Sequence, residues 1–593
     1  MRFRLTRVAP LLFFSGACAL VYQVAWLREL RLVFGASTAA SAAVLGVFMG
    51  GLGVGGIVIG KRADRAKNPL ELYANLELLV ALSAALTPLL VWLARATYLA
   101  LGGQSTLGIV GATVARLALG ALVLIVPTTL MGGTMPAAAR AVSSEDDPGR
   151  RAVSALYGVN TLGAVVGALA ANFVMLEVFG TRLTLWMICL LNVLVGLVGR
   201  MLSRAPVDEA RGAVSTREPA PAPTAEAPAV TKEPDAAAAT DSAEKPGPTE
   251  TEPPAETVDS PTATADPEAP AVAAKPAAEP AAAPSQPEPG GTSEVLPPEL
   301  SWFPSAAAAV VGFAFLLMEL VWYRMLAPLL GGSSYTFGLI LAVALFGIGV
   351  GGALYSFGKA VPTLRGFALT CGLEALFIAL PFAAGDRVAL FALAIRPLRI
   401  LGFGGSVLSW GIVCSLVIFP AAVVSGAQFP LVIGLFGKGG KDIGRQIGVA
   451  YLANTLGAIA GSLSGGFGLL PALTAPGCWK LVIALLASSG LVALFLSARY
   501  EGKKGFVYVG GLASVALAFA TFAAEGPTVA WRHTPIGAGR ADGLLATPNP
   551  NAIEAWRREI RLSIVWDADG RESAVALNGS SGYTFVVHGK ADG

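Results

Sequence analysis

The chain has 593 residues, 54% of them hydrophobic and only 14% charged, with a mean hydropathy of +0.65. Soluble globular domains carry about 25% charged residues, so a wholly water-soluble protein is excluded. The net charge of +3 hides a split: residues 203–300 hold 6 Lys/Arg against 18 Asp/Glu, which leaves +15 elsewhere, gathered in short segments between apolar runs as in cytoplasmic loops.

Arg2, Arg4 and Arg7 precede an apolar stretch, as in a signal peptide, but that stretch continues through Trp26 and recurs deep in the chain. It is therefore read as a first transmembrane helix. A span needs about 20 mostly apolar residues. Six candidates fall in 1–202, a first membrane repeat: 9–30, 38–60, 72–94, 105–131, 153–178 and 182–200. Residues 203–300 are almost entirely Pro, Ala, Glu, Thr, Ser and Asp. They bury too little apolar surface to offset the entropy of ordering, so a disordered linker is expected. Residues 301–499 read as a second six-helix repeat, with spans at 304–327, 335–358, 365–384, 406–436, 448–472 and 479–498. The stretch 387–402 is apolar but carries Arg396 and Arg399 around Pro397, which suits an interfacial helix. A thirteenth span is expected within 500–524, at 506–523. From Arg561 the pattern becomes short alternating runs separated by turn residues, an antiparallel β-meander of three strands within 525–593.

Basic residues follow the second, fourth and sixth spans of each half. A bacterial inner-membrane protein with cytoplasmic N-terminus and linker is expected, and the extra span would carry the tail outside. The five cysteines have no metal-ligand spacing and read as small buried hydrophobes. No metal site, cofactor or nucleic-acid partner is expected.

The repeat is the strongest internal signal. Gly16, Trp26 and Arg28 recur as Gly312, Trp322 and Arg324, and Gly53–Gly56 as Gly349–Gly352, at an offset of 296. Tyr157–x–x–Asn160–Thr161–Leu162–Gly163–Ala164–x–x–Gly167 recurs from Tyr451 to Gly461 at 294. Each half has six spans and starts on the same side. The expected fold is an all-α polytopic membrane protein with a 6+6 parallel repeat, major-facilitator-like. The run Gly50–Gly56 lies inside an apolar span with no strand before it, so it reads as a helix-packing face rather than a dinucleotide fingerprint.

Polar groups inside a membrane are costly and are functional candidates. Glu77 and Glu374 hold equivalent places in the third spans, Gln23 and Glu319 in the first, and Asn160 and Asn454 in the fifth. Arg116 stands alone in the fourth. Carboxylates facing a central cavity can bind a cation or relay protons, and a polyamine wants two or more spaced acceptors. The alternative for each is to tie helices together by hydrogen bonds.

The motifs SGACALVYQVAWLREL (Ser15–Leu30), GGLGVGG (Gly50–Gly56), YGVNTLGAVVG (Tyr157–Gly167) and YLANTLGAIAG (Tyr451–Gly461) carry a family resemblance. So do WRHTPIGAGR (Trp531–Arg540) and GYTFVVHGKADG (Gly582–Gly593) in the tail. Together they resemble the fused major-facilitator/spermidine synthases. The resemblance implies a membrane region followed by a spermidine-synthase-like domain, with a small β-sheet leading into a Rossmann-like lobe that binds decarboxylated S-adenosylmethionine or a related nucleoside. No glycine-rich loop or acidic pair of that lobe is found up to Gly593, so no catalytic residue is assigned and no aminopropyl transfer is expected of this chain. Three readings stand: a membrane-anchored aminopropyltransferase-like protein, a transporter of a small cationic substrate such as a polyamine, and a membrane scaffold.

Overall fold

The computed structural model describes residues 5–34, 38–143, 151–204, 296–358, 361–437, 443–502, 505–537, 549–580, 582–587 and 589–592. The linker read at 203–300 lies outside them except at its ends. The first half consists of α1 (Leu5–Phe34), α2 (Thr38–Arg65), α3 (Pro69–Ala100), α4 (Gly103–Val142), α5 (Arg151–Val178) and α6 (Gly180–Arg204). The second consists of α7 (Phe303–Leu330), α8 (Ser334–Phe357), α9 (Leu364–Ala384), the short α10 (Arg387–Ile395), α11 (Gly402–Leu435), α12 (Ile443–Ser464) and α13 (Leu470–Tyr500). After these come α14 (Phe506–Ala520), α15 (Val529–Arg532), α16 (Pro550–Ser563) and strands β1 (Ile564–Asp569), β2 (Ala574–Asn578), β3 (Thr584–Val587) and β4 (Lys590–Asp592).

Twelve helical stretches among the described residues are long and apolar enough to cross a membrane. One of them, Ile443–Tyr500, is 58 residues long, far beyond the ~20 that one crossing needs. It breaks at Thr474 (φ 64°, ψ 168°), which divides it into two helical segments of spanning length. The described residues thus hold thirteen segments of that length, six up to Arg204 and seven from Pro298. The stretch 387–402 is the short α10 and a 3-10 turn at Arg396–Leu401, not a span of its own.

The repeat extends to backbone irregularities. Positive φ at Gly108 and Gly180 in the first half is matched 294 residues later at Gly402 and Thr474. A π-helical turn at Ala171–Met175 in α5 is matched at the same offset by Gly465–Leu469 after α12. Thr474 is the one non-glycine with positive φ among the described residues. A β-branched residue there costs on the order of 1–3 kcal/mol.

Within each half, the fifth helix lies directly on the first. A Cβ at Gly163 would stand 1.8 Å from the carbonyl oxygen of Phe13, and one at Gly457 would stand 1.8 Å from that of Ala309. Backbone contact this close is possible only where one side has no side chain, which is how helices gain packing when lipid offers no hydrophobic drive between them. Trp26 and Trp322, at equivalent positions, are both fully buried in the cores of their halves.

The tail forms the expected antiparallel meander, with four strands in the order β1-β2-β3-β4 rather than three. The run predicted as a first strand from Arg561 is divided, because α16 continues to Ser563 and β1 begins at Ile564. The sheet's partner layer is the membrane domain itself: β1 packs on α13, and Trp556 of α16 joins the second-half core.

The glycine contacts make a contrast that can be measured. Gly457→Ala should destabilise the detergent-solubilised protein by about 1–3 kcal/mol through backbone overlap, lowering its melting temperature. Gly411→Ala, whose Cβ would meet nothing within 4 Å, should leave it unchanged or slightly raised.

Candidate functional site

The two halves meet chiefly through two equivalent helix pairs, α2 with α12 and α5 with α8. Glycine lines both. A Cβ at Gly60 would stand 2.5 Å from the carbonyl oxygen of Gly444, one at Gly448 would stand 2.3 Å from that of Gly56, and one at Gly158 would stand 2.8 Å from the amide of Ala353. Polar links among the described residues also cross this seam. Ser154 on α5 donates to the carbonyl of Gly352 on α8 at 2.7 Å. Tyr335 at the start of α8 donates to Glu177 at the end of α5.

The strongest link is Asp64 at the end of α2. Its two carboxylate oxygens accept the amides of Gly444 and Arg445, each at 2.8 Å. These amides belong to the first turn of α12, where backbone N–H groups lack intrahelical partners and the helix dipole favours a negative charge. Asp64 of one half therefore caps a helix of the other, and Arg140 of α4 stands 3.9 Å from the same carboxylate. This clasp closes the seam at the end where α6 finishes and α7 begins. Sequence reasoning passed over Asp64. The available signal was one acidic residue inside the basic run Lys61–Lys67.

The predicted candidates are dispersed. Glu77 is buried inside the first half, accepting from Ser15 Oγ at 2.6 Å and Asn192 Nδ2 at 2.7 Å. It ties α1, α3 and α6 together, and its chain neighbours gave no hint of Ser15 or Asn192. Glu374 is buried in the second half beside Ser425 and Gln428 of α11. Neither carboxylate lies on a seam helix. Asn160 and Asn454 sit where α5 crosses α1 at Gly16 and α12 crosses α7 at Gly312. Arg116 donates to the Tyr98 hydroxyl at 2.8 Å and lies over its ring, joining α4 to α3. Gln23 is half-buried on α1. Glu319, its counterpart on α7, is buried with no hydrogen-bonding or charged side chain beside it among the described residues. The structure brings none of these candidates together into one cluster.

At the opposite end, a buried ionic network fastens the tail. The Asp569 carboxylate on β1 accepts the amide of Ala475 at 2.7 Å and Arg532 Nη2 at 2.9 Å, and lies 3.7 Å from Arg324 Nη1. Arg324 donates to the carbonyls of Gly570 and Arg571, so this span-end arginine is buried beneath the sheet. Arg532 also pairs with Asp567 at 2.5 Å, and His533 Nε2 lies 3.3 Å from the same oxygen. Trp531 donates to the carbonyl of Met325 at 2.6 Å and meets the Trp479 ring edge-on. Asp569 thus caps the N-terminal end of α13 immediately after the strained Thr474, which explains how that kink is held.

Contact with His533, then with Arg532, holds the Asp567 carboxyl below its ordinary value of 3.8, against the opposing effect of burial. A depressed carboxyl contributes stability above its unfolded value and loses it as pH falls through its folded value. Docking of the tail should therefore be unaffected from neutrality to about pH 4 and weaken below, read as faster hydrogen exchange in β1. Asp569→Ala should loosen the tail at neutral pH by ~3–5 kcal/mol, because it leaves Arg324 buried without a carboxylate, weakens the pairing of Arg532 and uncaps the Ala475 amide. Limited proteolysis of the full chain would show this as new cleavage between α14 and β1.

No protein-family model matches the chain. No curated protein matches it either. Among solved structures, it resembles the human organic anion transporter MFSD10 (TETRAN), with a TM-score of 0.41 and 11% identity over 83% of this chain and 100% of that one. It also resembles the nucleoside transporter NupG, with a TM-score of 0.39 and 12% identity over 88% of this chain and 99% of that one.

Proposed function

We propose that this chain is a membrane transporter that moves a small solute between its two six-helix halves. The observation that carries the reading is the seam. Two equivalent glycine-lined helix pairs join the halves, while the capping carboxylate of Asp64 clasps them at one end. Smooth backbone faces can slide or rock, and a cap made of two charge-assisted hydrogen bonds gives one end a state that can be opened. The π turns in α5 and after α12 lie on seam helices, and such turns are frequent at functional sites.

Glu319 gives the reading its chemistry. A buried carboxylate without a partner is held by a proton or a bound cation, and α7 does not pack along α1, its counterpart across the molecule. Glu77 is engaged with Ser15 and Asn192, whereas Glu374 keeps one buried carboxylate oxygen without a hydrogen bond among the described residues, a second acceptor in the same half as Glu319. The aminopropyl transfer implied by the family resemblance has no site among the described residues. Their only sheet is antiparallel and is docked on the membrane domain.

In proteoliposomes holding the full chain, Glu319→Gln should abolish cation- or proton-coupled flux, whereas Arg116→Gln should leave flux within about twofold. Unchanged flux in Glu319→Gln would remove the carboxylate from the mechanism.

The moving seam has its own test. Losing hydrogen bonds to a charged group costs about 1.5–3 kcal/mol each, so Asp64→Asn should open the clasped end more often. A cysteine at Leu452, on the α2–α12 seam, should then react at least tenfold faster with a water-soluble thiol reagent. The native cysteines, all buried, supply a quiet background. Equal labelling rates with and without the substitution would sink the rocking interpretation.

A further inference from the structure

The two halves treat their third-span glutamates differently. Glu77 accepts from Ser15 Oγ with one oxygen and from Asn192 Nδ2 with the other. At the repeat offsets of 296 and 294, Val311 stands where the first half has Ser15, and Leu486 where it has Asn192. Glu374 therefore lacks both donors and faces α11 instead. Cys371 and Glu374, three residues apart on one side of α9, adjoin Ser425 and Gln428, three residues apart on α11. Gln428 Nε2 donates to Cys371 Sγ at 3.3 Å. Glu374 is 1% exposed and Gln428 0%, yet Glu374 Oε2 and Gln428 Oε1 have no hydrogen-bond partner among the described residues. Two buried acceptors thus lie in one cluster with no donor for either. α13 and α14 also pack on α9, but the one titratable side chain beside the carboxylate among the described residues is Cys371.

We propose that Glu374 and Gln428 bind one monovalent cation, a sodium ion or a proton, inside the second half. A buried oxygen acceptor without a donor bears its full desolvation cost, and a carboxylate bears more. One positive charge between the two oxygens removes both costs. The Ser425 hydroxyl completes an all-oxygen set of the kind that hard cations take. A divalent ion would leave a net positive charge in an apolar interior, because Glu374 is the one carboxylate of the cluster. The site also reaches the seam. The ring of Phe429, the residue after Gln428, is centred 5.1 Å from the Tyr157 ring of the first half and 5.0 Å from the Tyr451 ring. A cation that sets how α9 holds Gln428 therefore acts one residue from a contact between the halves. This use of the ion, though not its binding, rests on the transport reading.

Binding is read on the full chain in detergent, without flux, so a result against this site leaves the transport reading standing. The melting temperature is followed as sodium chloride replaces choline chloride at constant ionic strength, and infrared spectra are searched for a protonated-carboxyl band. A rise of several degrees with sodium assigns the site to the metal ion. A protonated-carboxyl band that Glu374→Gln removes assigns it to a proton. Glu374→Gln brings its own amide donor to Gln428 Oε1 and should fold. It should lose the sodium response or the band, whichever the wild type shows, whereas Arg116→Gln should keep it. Should Glu374→Gln fail to fold, Gln428→Met, which removes one of the two acceptors, should demand at least tenfold more sodium or move the band to higher frequency. Neither signal in the wild type would mean that the Gln428 amide is turned to donate to Glu374, which overturns the proposal, as does a signal that survives Glu374→Gln undiminished.

Discussion

The structure depends on helix backbones touching where glycine removes the side chain. In a membrane, lipid competes on equal terms for every apolar surface, so helices gain from packing only by approaching more closely than lipid chains can. Here the approach reaches carbonyl oxygens: Gly163 against Phe13, Gly457 against Ala309, Gly444 against Gly60. The first two contacts build the halves and the third joins them. The contacts within the halves recur at a nearly constant offset, so the halves are one packing solution used twice, while Gly444 against Gly60 has Arg150 and Ser356 at the equivalent positions.

Polar groups then divide by their task. Inside the halves they tie helices, as Glu77 does with Ser15 and Asn192. At the seam, Asp64 uses a helix terminus of the opposite half as its partner. At the far end, a buried set of arginines and aspartates converts the tail from an appendage into part of the membrane domain. Burying so many charges is tolerable because they meet opposite charges, backbone carbonyls or helix amides. Asp569 does the most in this set, since one carboxylate faces Arg324 and Arg532 and caps α13 beyond its strained residue.

The tail changes how the family resemblance is read. Its motifs lie around Trp531 and in β3–β4, and these residues have a role without any catalytic lobe. Trp531 anchors to α7, Arg532 and His533 meet β1, and Ile536 is buried in the second-half core. The resemblance implies the opening of an enzyme domain, and the packing shows that the tail also covers one half.

The sequence by itself determined the apolar segments of spanning length, the parallel 6+6 repeat, the short helix within 387–402 and the β-meander. All of these follow from local hydropathy, glycine spacing and self-similarity, which are properties of the chain in one dimension. It did not determine what the polar candidates do. Glu77 and Glu374 have the same repeat position, yet their partners, Ser15 and Asn192 in one half and Ser425 and Gln428 in the other, do not correspond. The repeat therefore suggested a shared site where the structure has two separate ones. Asp64 and Asp569 were invisible for a related reason. Each gains its meaning from a helix end that is remote in sequence, and only the tertiary packing brings a carboxylate to a bare helix terminus.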